Sequence, residues 1–200
     1  GLIRQYSLAN SQDETGRYVL GIKREPAGRG GSAWIHDELR VGTILPVGRP
    51  RNHFPLVEDG SPVVLIAGGI GVTPLHSMVQ RLRTLGSDWS LHYAARNRSE
   101  AALLDRLAEM PESVHLHFDE EHAGKPIDLA AIVKAAHPAA HFYCCGPGAM
   151  LDAFEAQCAA SGIAPARVHI ERFSAPPLKP ITQGFVVELA RSGIELSIAP

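Results

Sequence analysis

The chain has 200 residues, 45% of them apolar, with a formal net charge of -2. That is enough length for a sizeable core in one large or two small domains, and the charge lacks the cationic excess that nucleic acid or an anionic membrane surface would require. No apolar run approaches the roughly 18–20 residues that span a bilayer.

The start, Gly1-Leu2-Ile3-Arg4, has neither an initiating Met nor a basic region leading into an apolar stretch. No signal peptide is read, and a fragment of a longer protein is expected. Residues 1 to about 58 read as β-rich. Gln5–Ala9 and Tyr18–Glu25 carry short-strand patterns around the polar turn 10–16, and Leu45–Gly48 is a further strand candidate. Pro26–Ser32 is a loop, and Ala33–Leu39 is predicted to form a short helix. The pattern is that of part of an antiparallel barrel.

From residue 62 the rhythm changes. Pro62–Ala67 is a continuous apolar run, the mark of a strand buried on both faces. Pro74 suits a helix start, and Leu75, Met78, Val79, Leu82 and Leu85 form one helical stripe ending at Gly86. The alternation continues with strand Leu91–Ala95, helix Glu100–Met110, strand Val114–Phe118, helix Leu129–Ala136, strand His141–Cys145, helix Ala149–Ser161 and strand Val168–Phe173. This predicts an α/β domain with a parallel, doubly wound sheet and ligands at the carboxyl ends of its strands. Ala175–Pro180 is a stiff proline-rich linker. Gly184–Ala190 and Ile194–Ala199 then alternate about Ser192-Gly193, a hairpin that cannot bury its apolar face alone.

Three cysteines, Cys144, Cys145 and Cys158, are odd in number and two are adjacent, so they read as buried free thiols in a reducing cytoplasm. No zinc-type or iron–sulfur spacing is present. His115 and His117 share a strand face without grouped carboxylates or thiols, so no metal site is expected in this stretch of chain.

Four motifs carry chemistry. Gly68-Gly69-Ile70-Gly71-Val72-Thr73-Pro74, between a buried strand and a helix, lets a diphosphate approach the backbone and offers Thr73 and free amides as donors. Pro74 stands where the third glycine of the dinucleotide fingerprint belongs. The second strand ends in Arg96 and Arg98 rather than a ribose-binding acid, so these arginines either face a 2′-phosphate or are simply solvated. Cys144-Cys145-Gly146-Pro147-Gly148 is either an ordinary strand-to-helix turn or a place where Cys145 meets a planar ring. Arg4 and Tyr6 share a strand face and could hold a phosphate and a flat ring, or form a structural pair. Arg29-Gly30-Gly31-Ser32 is an anion nest or a flexible loop, and it lacks the Lys-Ser/Thr ending of an ATP-hydrolysing P-loop. No G-x-S-x-G elbow is present.

In order along the chain, Arg4-x-Tyr6-Ser7, Gly21-Ile22-Lys23, Gly30-Gly31-Ser32, Pro50-Arg51-Asn52-x-Phe54-Pro55-Leu56, Gly68–Pro74 and Cys145-Gly146-Pro147 resemble the ferredoxin-reductase superfamily. More narrowly, they resemble its phthalate dioxygenase reductase and vanillate O-demethylase reductase group. The resemblance implies residues 1–58 as the C-terminal part of an FMN-binding barrel and 59–174 as an NAD-binding domain. It makes 175–182 a linker and 183–200 the start of a truncated [2Fe–2S] ferredoxin-like domain. It assigns Arg4, Tyr6, Ser7, Ile22, Lys23, Arg29, Gly30, Gly31, Ser32, Thr73 and Phe173 to FMN, and Gly69, Gly71, Arg96, Cys145, Gly146 and Pro147 to the pyridine nucleotide.

No residue is implied as an acid or base. The implied activity is a cytoplasmic reductase component that takes electrons from NADH or NADPH through FMN. They leave through an iron–sulfur centre outside this sequence to a Rieske-type aromatic-ring oxygenase or demethylase. The rival readings are a stand-alone NAD(P)H:flavin reductase and a non-catalytic nucleotide-binding fragment.

Overall fold

The computed structural model describes residues 3–173, 184–189 and 191–198. A short helix, α1, spans Gly31–Asp37. A βα series follows: β1 Val63–Gly68, α2 Val72–Leu85, β2 Trp89–Ala95, α3 Leu104–Leu107, β3 Val114–Phe118, α4 Leu129–Ala135, β4 His141–Cys145, α5 Gly148–Ala160 and β5 Val168–Glu171. The five strands form one parallel sheet in the order β3-β2-β1-β4-β5. A two-stranded antiparallel hairpin, β6 Phe185–Leu189 with β7 Ile194–Ile198, is separate.

Strand alternation sorts the core into two layers. Val63, Leu65 and Ala67 of β1 and Leu91 and Tyr93 of β2 face Leu75, Val79 and Leu82 of α2. Val64 and Ile66 of β1 face the other way with Phe142 and Cys144, and meet Val133 of α4 and Leu151, Phe154 and Cys158 of α5. Both faces of β1 and β4 are therefore covered, which explains why β1 and, after His141, β4 are apolar throughout.

α2 begins at Val72, two residues before Pro74, so Pro74 lies in the first turn where a missing N–H costs no hydrogen bond. Gly86 closes the helix in the left-handed conformation, φ 64°.

Two expectations fail. The helix read over 100–110 shrinks to a 3-10 turn at Arg98–Glu100 and the single turn α3, with Leu103 between them at φ 64°. Asn97 Oδ1 caps the Glu100 N–H at 3.0 Å. Beyond it, Ala101, Ala102, Leu103 and Leu104 all pack on the α2-side core, and four consecutive side chains cannot share one face of a continuous helix.

The barrel strands are the other failure. Gln5–Ala9 and Tyr18–Glu25 meet in a single antiparallel bridge, Leu8 with Leu20, and Leu45–Gly48 pairs with nothing among the described residues. A strand exists only through its neighbours, and the exposed Val41, Ile44 and Val47 mark the same shortage of packing partners. The proposed linker 175–182 lies outside the described residues. The hairpin β6–β7 forms where the alternation placed it, with Phe185, Leu189, Ile194 and Leu196 all exposed.

Candidate nucleotide and flavin site

The strand order places a topological switch point between β1 and β4. The chain leaves β1 toward β2 on one side and returns through α4 to β4 on the other, so a crevice opens at the carboxyl ends of these two strands. Two loops meet there. A Cβ on Gly71 would lie 2.1 Å from the Cys145 carbonyl oxygen and 2.8 Å from the Gly146 nitrogen. On Gly68 it would lie 2.7 Å from Pro147 Cδ and from Met150 Sδ. The glycines of 68–71 and the Cys145-Gly146-Pro147 turn are thus a single packed unit. Gly69 adopts φ 53°, a left-handed conformation that glycine takes without a Cβ clash. α2 is 14 residues long and has no side-chain cap at its start; the Val72 N–H is taken by the Gly69 and Ile70 carbonyls and Pro74 has none, so what the helix start offers an anion is chiefly its dipole.

The side chains at this switch point behave differently from the sequence reading. Cys145 is 0% exposed and its thiol sits in the α2-side core. What the turn presents at the crevice is the Cys145–Gly146 backbone and the exposed Pro147. Burial pushes the Cys145 thiol well above its ordinary pKa and Cys144 to about 12, so neither is a thiolate nucleophile. Thr73 is 2% exposed, and its Oγ1 donates to the Ile70 carbonyl at 3.0 Å. Its methyl faces the backbone of Gly21, where a Cβ would lie 2.5 Å from Thr73 Cγ2.

The second cradle is built around Gly31. A Cβ there would lie 2.6 Å from Arg4 Nε, and Arg4 Nη2 donates to the Arg29 carbonyl at 2.6 Å. The first backbone bond of α1 is Trp34 N–H to Gly30 O, 2.9 Å, so the amides of Gly31, Ser32 and Ala33 have no partner within the helix. With the Arg4 guanidinium alongside, this donor set fits one phosphate group. Ser32 Oγ accepts from the Glu25 N–H at 3.0 Å.

One extended segment ties the cradles together. Gly21 lies against Thr73 of the first, and Ile22 O is bonded by His36 Nε2 of α1 at 2.8 Å. Glu25 N–H reaches Ser32 of the second. Ser7 is drawn to the same end of the sheet, where its Oγ donates to Glu171 Oε2 at 3.2 Å. Phe173, two residues beyond β5, is 48% exposed. Arg4, Ser7, Ile22, Gly30, Gly31, Ser32, Thr73, Gly69, Gly71, Cys145, Gly146 and Pro147 therefore form one connected region. Tyr6, Lys23 and Arg29 belong to its segments.

Arg96 stands apart at the end of β2. Its side chain is 73% exposed and lies 3.8 Å from Glu100. Arg98 is committed elsewhere, bidentate to Glu121 and 4.5 Å over the Phe118 ring.

Glu171 escaped the sequence reading. It is the register partner of Cys145 at the carboxyl end of β5, and burial raises its carboxyl pKa, against the opposing pull of the Ser7 hydrogen bond. A lone acid closing a strand at the ligand edge of the sheet was the available signal. Gly21, an isolated glycine in a strand pattern, was another. Two surface concavities, one lined by Gln80, Arg83 and Thr84 and the other by Leu82, Leu85 and Ser87, flank the far end of α2 and do not touch the crevice. His115 stacks on His92 and His117 on His122, and the described residues contain no group of three or more metal-ligating side chains. No helix among them is long and apolar enough to cross a membrane.

A parallel sheet with a glycine-lined crevice at its switch point defines a nucleotide-binding oxidoreductase domain, and residues 65–156 match the family described as the oxidoreductase NAD-binding domain. Over 199 residues the chain is 57% identical to phenoxybenzoate dioxygenase subunit beta of Ectopseudomonas oleovorans, covering 100% of this chain and 61% of that relative. It is 37% identical to a vanillate O-demethylase oxidoreductase of Pseudomonas sp. (99% of this chain, 63% of the relative). The solved phthalate dioxygenase reductase, described as a modular structure for electron transfer from pyridine nucleotides to [2Fe-2S], superposes with a TM-score of 0.81 at 36% identity, over 98% of this chain and 62% of that one. Along nearly its whole length the chain is thus similar to reductases of the phthalate dioxygenase and vanillate O-demethylase type. It spans about three fifths of the length of these relatives.

Proposed function

We propose that this polypeptide is the pyridine-nucleotide and flavin portion of a reductase component that draws electrons from NADH through FMN. The electrons go, by way of a [2Fe–2S] domain of the parent protein, to a Rieske-type aromatic-ring oxygenase or demethylase in the cytoplasm. Residues 1–58 serve the flavin, 59–174 the nucleotide, and 183–200 begin the iron–sulfur domain. The observation that carries the reading is segment 21–25, which is bonded to or packed on both cradles within five residues. Two glycine-lined anion sites joined by one extended segment are what a flavin phosphate and a dinucleotide diphosphate need if their rings are to meet.

The residues divide the work. Arg4 and the amides of Gly31 to Ala33 hold a single phosphate, with Arg29 at the loop surface; one phosphate argues for FMN. Tyr6, Ile22 and Lys23 line the ring, and Phe173 covers it. Ser7 is oriented by Glu171, which keeps its hydroxyl at the crevice. Gly69, Gly71 and the start of α2 take the diphosphate, Gly146 and Pro147 form the wall on which the nicotinamide rests, and Arg96 meets the adenosine end. A bound flavin supplies the exchange between two-electron and one-electron transfer; the protein supplies orientation and exclusion of water. None of these residues moves a proton to or from the reacting carbon.

The test is rapid mixing of FMN-loaded protein with NADH. Bleaching of the flavin absorbance at a rate that saturates with NADH is expected. Protein that binds FMN and NADH yet shows no bleaching would refute the reading.

A further inference from the structure

His76 lies on α2 one turn beyond Thr73 and is only 3% exposed. Its Nδ1 is 2.7 Å from the carbonyl oxygen of Ala9, and Gln80 Nε2 reaches the same oxygen at 3.0 Å. A carbonyl oxygen only accepts, so Nδ1 carries the imidazole proton and the ring's tautomer is fixed. Gln80 therefore gives nothing to His76 Nδ1 despite their 2.9 Å approach; its other N–H reaches the His76 carbonyl at 3.3 Å. Two donors from successive turns of one helix thus close on one acceptor that is 67 residues from His76 in sequence.

The acceptor is held from its other side as well. Ala9 N–H donates to Val19 O at 2.8 Å. Val19 N–H donates to Asn10 Oδ1 at 2.9 Å, while Asn10 Nδ2 donates to Glu14 O and Arg17 O. Ala9 lies two residues after Ser7 and three after Tyr6. Ser7–Ala9 is therefore fixed at both ends, by the Ser7–Glu171 bond and the His76 clamp, and Arg4–Tyr6 lead directly into it.

We propose that His76, assisted by Gln80, is a positioning residue that docks the Tyr6–Ala9 segment on α2 and so sets the spacing between that segment and the nucleotide loop. The proposal rests on the reductase reading for its effect on electron transfer, and on geometry alone for the clamp. The His76 ring hydrogen-bonds to Ala9, not to the glycine loop or the Cys145 turn, so its loss should change the alignment of the two halves while leaving nucleotide binding in place.

The test compares His76→Leu, which keeps bulk and removes the donor, with His76→Asn, whose amide can stand where Nδ1 stood. Amide hydrogen exchange of the full chain at Ala9 and Val19 is one readout. The other is the NADH-driven rate of flavin reduction at saturating NADH in FMN-loaded protein. Loss of one buried hydrogen bond predicts about tenfold faster exchange at Ala9 in His76→Leu. A misplacement of the ring by a fraction of an ångström predicts a reduction rate lower by about tenfold or more, with the NADH dissociation constant within about twofold of wild type. His76→Asn should recover most of both.

Unchanged exchange and rate in His76→Leu would overturn the proposal. So would a loss of NADH affinity parallel to the loss of rate, or failure of Asn to rescue. If His76→Leu does not fold, Gln80→Leu and His76→Asn give the same comparison from the other donor. A wild-type protein whose flavin is not reduced would remove the reductase reading, and the exchange measurement would still decide the clamp.

Discussion

Replacing Gly71 with alanine places a methyl group inside the contact that joins the two nucleotide loops. The added carbon would lie 2.1 Å from the Cys145 carbonyl oxygen, 2.4 Å from its carbon and 2.8 Å from the Gly146 nitrogen. Ordinary non-bonded contacts lie at about 3.5–4.0 Å, so the loops must part by about 1 Å or more. Every obstructing atom is backbone, and the end of β4 is fully buried, so no side chain can swing aside. Overpacking of this kind costs about 1–3 kcal/mol, occasionally more, and the upper part of that range is expected here.

Nucleotide binding should suffer further, because the displaced atoms are those that shape the crevice; a fall of about tenfold or more in NADH affinity is expected. The control is Gly69→Ala, whose Cβ would meet nothing within 4 Å and would suffer only the φ 53° backbone, a strain of about 1–2 kcal/mol. Urea unfolding and calorimetric titration with NADH measure both quantities. If Gly71→Ala binds NADH like wild type, the crevice is not where the nucleotide sits.

Arg4→Ala removes the cation that packs on Gly31, and FMN affinity should fall about tenfold to a hundredfold while NADH affinity holds; fluorescence titration with FMN reads this. Burial raises the Glu171 pKa, so between the ordinary glutamate value and the raised one the folded state binds more protons than the unfolded. Stability contributed by this group therefore declines as pH rises through that window and stays reduced above it. Glu171→Gln should flatten that part of a denaturation-against-pH series, and an unchanged slope would contradict the assignment. All three thiols are buried, with Cys144 raised to about 12 and Cys158 to about 11. An aromatic disulfide reagent at mildly alkaline pH should modify none of them in native protein and all three in denaturant.

The sheet was legible because each strand announced itself. Val63–Ala67 and Phe142–Cys145 are unbroken apolar runs that each end at a glycine, and buried parallel strands have no other pattern to show. The stretch 100–110 misled because Ala101–Leu104 is rich in helix formers. Tertiary packing under Tyr93 overrode that preference and turned Leu103 left-handed.

The strands of residues 5–25 could not be judged from local pattern, since a ladder depends on partners elsewhere in the chain. The glycine loops were legible as loops, but which backbone each approached was not: that Gly71 rests on Cys145 follows from strand order, and that Gly21 rests on Thr73 from how the N-terminal segment packs on α2, neither of which a local pattern encodes. The same blindness put the Cys145 side chain in the crevice when it points into the core. It also hid Glu171, whose meaning comes from its register with Cys145.

The contact between Gly71 and the Cys145 carbonyl bears on how this scaffold can be altered. Neither loop has slack of its own, because each serves as the mould for the other. A graft that imports only one of them from a relative brings a surface cast against a different counterpart. Transplanting the pair, 68–73 together with 145–148, is the smallest exchange that keeps the fit, and coenzyme engineering on this chain should treat them as a single part.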